Sequence, residues 1–181
     1  MRGGRDDRAG PAQKCSVEIA LALPSDLDAF VRLAGEVEGL FGPMVGEPEF
    51  HDFLRRNTQH RPALVARTVR GASEVAGGVV FSDRHHPTYT VSWLVVSAPH
   101  RDRGVGESLL AEGFRRWVRL PCLVELATFG EDHPGARSRS FYERLGFRPQ
   151  EYVDNGPEGG TRQMFRLQLA TLPAWVADPG S

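Results

Sequence analysis

Residues 90–118 read T-V-S-W-L-V-V-S-A-P-H-R-D-R-G-V-G-E-S-L-L-A-E-G-F-R-R-W-V, and this stretch decides the fold. The β-branched and aromatic run Val91–Val96 predicts a buried strand, which Pro99 ends because proline cannot donate to a sheet ladder. Apolar residues then recur every three or four positions and predict a helix: Val105, Leu109, Leu110, Phe114, Trp117 and Val118. The stretch is therefore a strand, a short basic turn and a helix.

The turn from Arg101 to Gly106 has the properties of an anion-binding loop. The first amides of a helix have no intrahelical partner, and the helix dipole adds partial positive charge there. Glycine lets a phosphate approach the backbone, and the arginines stay charged. A dinucleotide-binding G-x-G-x-x-G turn is the nearest alternative, but its third glycine would fall at Leu109, and no P-loop lysine follows.

Composition narrows the class of protein. The 181 residues have a formal net charge of -1, 40% hydrophobic and 25% charged residues, which is typical of a soluble globular domain. This charge gives no case for nucleic acid or an anionic membrane, and no apolar stretch approaches the roughly 18 residues that span a bilayer. Cys15 and Cys122 lack metal-ligand spacing, and Cys122 lies in an apolar run typical of a core. We expect a cytoplasmic protein without a metal.

The chain is expected to form one domain between two tails. Residues 1–15 are rich in Gly, Arg and Asp and predict a disordered tail, residues 16–170 the domain, and residues 171–181 a loose tail. Hydrophobic periodicity predicts the element order β-α-α-β-β-β-α-β-α-β-β, with an apolar loop at 39–46 and a turn at Arg70–Ser73. That order indicates a mixed α/β domain.

Two motifs in this order resemble the GNAT family of N-acetyltransferases. The first is the R-x-x-G-x-G turn after the strand, which resembles the family's acetyl-CoA pyrophosphate loop. The second is F-Y-E-R-L-G-F-R-P (Phe141–Pro149) on a short helix, which looks like the family's Y-E-x-x-G-F segment. The resemblance covers residues 16–169. It implies a twisted, mainly antiparallel sheet whose fourth and fifth strands splay apart. One departure is Gly135, where many members carry an asparagine.

The resemblance implies acetyl-CoA as co-substrate and a set of residues that hold it. The expected cofactor-binding residues are Leu94, Val95, Val96, Arg101, Asp102, Arg103, Gly104, Val105, Gly106 and Tyr142. Backbone groups of the strand would pair with the pantetheine arm as an added strand does, and one amide could bind the thioester carbonyl. Amides of the turn would hold the pyrophosphate.

For the chemistry, the resemblance implies Tyr142 as the general acid for the departing thiolate. A phenol of pKa about 10 matches a thiol in basicity and is protonated at neutral pH. Glu125 lies mid-strand, where an unpaired carboxylate is costly, so it is either the general base or a structurally hydrogen-bonded group. His133 beside Asp132 is a second candidate base or a loop pair, and water is the remaining option.

The leading hypothesis is therefore an N-acetyltransferase that moves acetyl to a primary amine by direct attack in a ternary complex. Direct attack is preferred because no cysteine nucleophile stands out. A small-molecule acceptor is favoured, with Phe41, Met44 and Trp93 as candidate pocket residues. A non-catalytic acyl-CoA-binding or sensing module and a protein or peptide N-acetyltransferase are the alternatives. A homodimer is one option for the oligomeric state.

Overall fold

Seven strands form a single sheet, and the computed structural model describes residues 17–60, 63–69 and 74–177 of the chain. The strands are β1 (Val17–Leu21), β2 (Ala63–Thr68), β3 (Val75–His85), β4 (Thr88–Val96), β5 (Cys122–Phe129), β6 (Arg148–Val153) and β7 (Arg162–Leu169). The helices are α1 (Leu27–Gly35), α2 (Glu38–Phe41), α3 (Pro48–Gln59), α4 (Val105–Trp117), α5 (Arg137–Arg144) and α6 (Ala174–Ala177). The predicted tail at 1–15 with Cys15, and the turn at Arg70–Ser73, lie outside the described residues.

The strand order is β1-β2-β3-β4-β5-β7-β6, and among these neighbours β4 and β5 alone run parallel. The predicted mixed α/β fold with a mainly antiparallel sheet is confirmed. Helices pack on both faces because alternate strand residues point to opposite sides. In β2, Leu64 and Ala66 join the core under α4, while Ala63 and Val65 join the core under α1 and α3.

Two short helices replace segments that were predicted without regular structure. Helix α2 starts the apolar segment predicted as a loop at 39–46, and the carboxylate of Glu38 accepts hydrogen bonds from the amides of Met44 and Val45, each at 2.7 Å. Helix α6 lies in the segment predicted to be loose. The indole of Trp175 donates to the Leu145 carbonyl at 3.1 Å, and Val176 is fully buried. Arg115 on α4 also donates to the Val176 carbonyl at 2.8 Å, so apolar burial and hydrogen bonds together dock this segment.

The parallel contact between β4 and β5 is short. It consists of Thr88, Tyr89 and Thr90 of β4 opposite Leu123, Val124 and Glu125 of β5. Residues 91–96 of β4 and 126–129 of β5 have no pairing with each other. The two strands diverge after Thr90 and Glu125 and leave a gap open toward their carboxyl ends, which is the predicted splay.

An irregularity in β4 coincides with the start of this gap. The register with β3 shifts between the pairs Val80–Trp93 and Phe81–Val91, so Ser92 is an extra residue in β4. A β-bulge of this kind bends a strand and reverses which face the following side chains point to. Val91 accordingly belongs to the core under α4, whereas Trp93 belongs to the core under α1 and packs on Phe30 with ring centroids 5.4 Å apart.

Gly135 sits before α5, at the position where the sequence departs from the family pattern. A Cβ built on Gly135 would lie 2.5 Å from the ring of Phe129 at the end of β5. The Phe129 ring also stacks on His133 with centroids 4.3 Å apart. The phenyl ring therefore occupies the space that an asparagine side chain would need, and the departure follows from how α5 packs on β5.

We predict that Gly135→Ala lowers the free energy of unfolding by about 1–3 kcal/mol, the usual cost of overpacking a filled site. Gly39→Ala is the matched control, because a Cβ there meets nothing within 4 Å and alanine is a better helix residue. Urea denaturation of both variants measures the difference. Equal stability of the two variants would contradict the packing argument.

Candidate active site

The gap between β4 and β5 is a cleft of about 840 Å³. Its walls are residues 91–96 of β4, residues 126–129 of β5, the start of α4, and parts of α2 and α5. Of the residues predicted from the sequence, this cleft collects the β4 segment, most of the Arg101–Gly106 turn, Tyr142, Phe41 and Trp93. Arg103, Glu125 and Met44 are not among its lining residues.

The backbone of β4 presents alternate residues to the cleft. The amide of Ser97 donates to the Ala76 carbonyl in β3 at 2.9 Å. In an antiparallel pair, every second residue directs its amide and carbonyl toward the partner strand, and the residues between direct theirs away from it. Val95, two residues earlier and opposite Gly78, therefore directs its amide and carbonyl toward β3. Leu94 and Val96 direct theirs toward the gap, where β5 has diverged. The Val96 carbonyl accepts a hydrogen bond from Nε of Arg101 at 2.9 Å.

The turn before α4 exposes backbone amides at the other end of the cleft. Asp102 has φ 58° and Gly104 has φ 81°, two left-handed residues that reverse the chain before α4 begins at Val105. Gly104 occupies the N-cap position of α4 and, because it has no side chain, it provides no capping hydrogen bond to the first amides of the helix. Within the described residues, the amides of 103–106 donate to no protein acceptor. This end of the cleft can therefore receive an anion through backbone amides and the helix dipole.

Arginines on two elements add charge near this turn. Arg101 on the turn, and Arg137 and Arg144 on α5, all line the cleft. Arg139 does not, because it is buried and donates to the Phe129 carbonyl at 3.0 Å and to Gln163 at 2.7 Å. Helical spacing alone could not distinguish the buried Arg139 from Arg137 and Arg144, which line the cleft, because the burial of Arg139 depends on strand β7, which is distant in the sequence.

Tyr142 projects from α5 into the cleft while its ring is held in the core. Its ring meets Phe141, Phe147 and Phe165 at centroid distances of 5.0, 5.9 and 6.4 Å. Among the described residues the Tyr142 hydroxyl has no hydrogen-bond partner, and it is not one of the fully enclosed polar atoms. Burial raises the pKa of the phenol above its ordinary value. The hydroxyl therefore stays protonated at neutral pH and can donate to a group in the cleft.

Glu125 lies where the two strands part, but its carboxylate is turned to another partner. It accepts from Nε of Arg166 on β7 at 3.3 Å. Arg166 also binds Glu151 on β6 through two hydrogen bonds of 2.6 and 2.8 Å. The structure therefore places Glu125 in a cross-strand ion-pair network, and Glu125 does not line the cleft that Tyr142 lines.

His133 pairs with the loop between β6 and β7. Its Nδ1 accepts from the Gly135 amide at 2.8 Å, and its Nε2 lies 3.2 Å from a carboxylate oxygen of Glu158. Asp132 accepts instead from the hydroxyl of Thr161. Both ring nitrogens are occupied, so His133 joins two loops, and the predicted Asp132–His133 contact is replaced by one to Glu158. Sequence reasoning could not find this pair, because the residues are far apart in the chain.

The far end of the cleft is apolar. Phe41 and Trp93, two of the candidate pocket residues, line it together with three residues that the sequence analysis did not name as pocket candidates: Val37, Leu40 and Phe129. Met44 instead packs with the core under α1. The spacing of Val37, Leu40 and Phe41 is helical, and this signal was overlooked because Gly39 and Gly42 suggested a loop.

Among residues 17–60, 63–69 and 74–177, no group of three or more His, Cys, Asp or Glu side chains is placed to hold a metal ion. No helix in this part of the chain is both long enough and apolar enough to cross a membrane. Cys122 is 1% exposed, and burial raises the pKa of its thiol.

Comparison with known proteins agrees with the sequence motifs. Residues 60–149 match the sequence profile of the acetyltransferase (GNAT) domain, which spans β2 to the start of β6. No curated protein matches the chain significantly.

Solved structures with the same fold include three bacterial and archaeal proteins. An acetyltransferase of the GNAT family from Bacillus cereus is 16% identical, with a TM-score of 0.65 over 84% of this chain and 97% of that chain. Ard1 from Thermoplasma volcanium is 18% identical, with a TM-score of 0.67 over 84% and 97%. The putative acetyltransferase yncA from Salmonella typhimurium, solved with its cofactor acetyl-CoA, is 17% identical, with a TM-score of 0.65 over 88% and 97%.

The sequence match identifies the family, and the structural similarity identifies the fold. Both agree with a cleft that opens between β4 and β5 and ends at an uncapped helix. The chain therefore belongs to the GNAT family of acetyl-CoA-dependent N-acetyltransferases.

Proposed function

We propose that the enzyme transfers acetyl from acetyl-CoA to the primary amine of a small molecule, by direct attack while both substrates are bound. The observation that carries this proposal is the cleft itself, where unpaired β4 backbone lies in one cavity with the unbonded hydroxyl of Tyr142. A backbone edge binds an extended amide-containing arm, and a free phenol supplies a proton. Together these groups fit a thioester donor.

The residues present fit acetyl-CoA along the length of the cleft. Leu94 offers its backbone amide and carbonyl to the pantetheine arm, Val96 offers its amide, and the amides of Arg103–Gly106 hold the pyrophosphate. Arg101 is the arginine on the turn that reinforces them, and Arg137 and Arg144 on α5 also line the cleft. When bound, acetyl-CoA supplies the carbonyl carbon that is attacked and the thiolate that leaves.

Direct attack follows from the side chains at the cleft. The described lining residues include no cysteine, and Cys122 is buried in the core under α4. Tyr142 is a weak nucleophile while its phenol is protonated, so it holds the proton that neutralises the thiolate. A backbone amide of β4 at the bulge polarises the reacting carbonyl.

For the base, the geometry favours solvent over Glu125. The Glu125 carboxylate is paired with Arg166 and does not line the cleft. No Asp, Glu or His among the described residues lines its apolar end. Water at the mouth of the cleft then takes the proton of the amine.

Two loops at the apolar end favour a small acceptor over a peptide. A Cβ on Gly42, after α2, would lie 3.3 Å from the backbone nitrogen of Glu158 in the β6–β7 loop. The guanidinium of Arg162 lies over the rings of Phe41 and Phe129, at 5.7 and 4.5 Å from their centroids. These contacts close the wall behind Phe41, and an extended peptide needs an open groove there.

We predict that Gly104→Ala raises the Kd of CoA about tenfold. Alanine is strained at φ 81° by about 1–2 kcal/mol, so the turn relaxes from the conformation that presents its amides. Gly159→Ala is the control. Gly159 has φ 84°, an added Cβ would meet nothing within 4 Å at either Gly159 or Gly104, and Gly159 lies outside the cleft. Isothermal titration with CoA gives both constants, and an equal change in the two variants would refute the assignment of the turn.

We predict that Tyr142→Phe lowers kcat about 100-fold at saturating acetyl-CoA and leaves the Kd of acetyl-CoA unchanged. The substitution removes the proton donor alone, and general acid catalysis contributes about 10²–10⁴-fold. In the control Tyr89→Phe, the lost hydroxyl accepts from the Arg119 amide at 3.0 Å, so stability falls by about 1 kcal/mol while kcat stays unchanged. Thiol release measures kcat, and wild-type turnover by Tyr142→Phe would remove the role.

We predict that Glu125→Gln leaves kcat/KM and its pH dependence within about threefold of wild type, since a partly exposed ion pair contributes about 0–1 kcal/mol. The groups that face Glu125 are Arg166 and, through it, Glu151, and both remain in the variant. The pH–rate profile from pH 6 to 9 tests this. Loss of an ionisation in the variant profile would instead identify Glu125 as the base.

A further inference from the structure

The distribution of charge along the cleft indicates what kind of amine it accepts. Charged lining residues are confined to the turn, α4 and α5: Arg101, Asp102, Glu107, Arg137 and Arg144. The opposite end, here called the apolar end, is lined by Val37, Leu40, Phe41, Trp93 and Phe129. Two polar lining residues, Ser92 and Thr128, are chain neighbours of Trp93 and Phe129, and the indole N–H of Trp93 is buried without a hydrogen-bond partner in the described residues. The five side chains of the apolar end are therefore uncharged, although the Arg162 guanidinium packs against two of them, Phe41 and Phe129.

Carboxylates do lie near the apolar end, but both are committed to protein partners. Glu38 in α2 turns away and accepts the amides of Met44 and Val45, and these hydrogen bonds lower the pKa of its carboxyl group. Glu158 pairs with Arg162 at 2.5 Å and with His133 at 3.2 Å. Neither carboxylate lines the cleft. A cation that entered this end would lose its hydration without gaining a counter-charge.

An apolar group gains free energy at the same place. Removing apolar surface from water contributes about 25 cal/mol per Å², and aromatic rings such as Phe41 and Trp93 provide large contact areas. The wall is also supported from behind, because Arg162 packs over both Phe41 and Phe129. The apolar end therefore discriminates against a second ammonium group and favours a ring or an alkyl chain.

Building on the proposed function, we propose that the acceptor is a primary amine carried on an apolar body, aryl or alkyl, without a second positive charge. The apolar body occupies the apolar end, and the amine lies toward Ser92 and the bulge of β4. Phe41, Leu40 and Trp93 then determine specificity, while Tyr142 and the Arg101–Gly106 turn serve the donor.

A matched pair of amines tests this inference on the full-length protein. Hexylamine and 1,6-diaminohexane have the same chain length and the same reacting group, and they differ in the far ammonium. We expect kcat/KM, measured by thiol release, to be at least tenfold higher for hexylamine, and phenethylamine to be accepted as well. Equal or higher kcat/KM for the diamine in the wild-type enzyme would overturn the inference.

A charge-introducing variant gives a second, independent readout. Leu40→Asp places a carboxylate in the apolar end and should reduce the kcat/KM preference for hexylamine over the diamine at least tenfold. The control is Leu172→Asp, at a residue that is 39% exposed and lies outside the cleft, and it should leave this preference unchanged. An unchanged preference in folded Leu40→Asp would also overturn the inference. Acetyl-CoA binding, followed by thermal shift, distinguishes failure of this inference from failure of the proposed function. If acetyl-CoA binds but no amine causes thiol release, the proposed function itself is refuted.

Discussion

The cleft exists because β4 and β5 are each fully paired on the side that faces away from the other. All eight residues of β5 pair with β7, and the carboxyl half of β4 pairs with β3 up to Val96. These two ladders fix the directions of the strands, so closing the gap would break established hydrogen bonds on both sides. The backbone of Leu94 and Val96 is left without a strand partner. Buried backbone groups rarely remain unpaired, so this edge is suited to a ligand that supplies the missing donors and acceptors.

Chemical character changes along the same cavity in an order that suits a transfer reaction. An uncapped helix start and arginines mark one end, the unpaired strand edge and Tyr142 occupy the middle, and the apolar residues around Phe41 mark the other end. Under the proposed function, charge at one end and its absence at the other would orient two unlike substrates toward each other without any side chain that binds both. Specificity for the acceptor can therefore change through α2, while the donor site in β4 and α4 stays the same.

Local sequence pattern predicted the strand, turn and helix of the proposed donor site, but it predicted less of the proposed acceptor site. The strand, turn and helix around Gly104 are consecutive in the chain, so periodicity and turn chemistry predicted them, and the motif resemblance placed Tyr142 on α5. The bulge at Ser92 could not be predicted, because the alternation of Tyr89, Val91 and Trp93 with polar residues continues unbroken through Ser92 and predicts one face for all three. The pairing of His133 with Glu158 depends on two loops that meet only in the folded chain.

The position of the Tyr142 hydroxyl is set by packing, not by a hydrogen bond. Gly146, at φ 94°, ends α5 and turns the chain so that Phe147 packs on the Tyr142 ring, while the Phe147 amide donates to the Tyr142 carbonyl at 3.1 Å. Trp175 then fixes the end of α5 through its bond to the Leu145 carbonyl. An acid held by a polar partner would have to exchange that bond for one to the thiolate. Because apolar contacts hold the ring, the hydroxyl keeps its full capacity to donate, and burial of the ring keeps its proton in place at neutral pH. Residues 174–177 thus help to hold the proposed acid in position, although none of them lines the cleft.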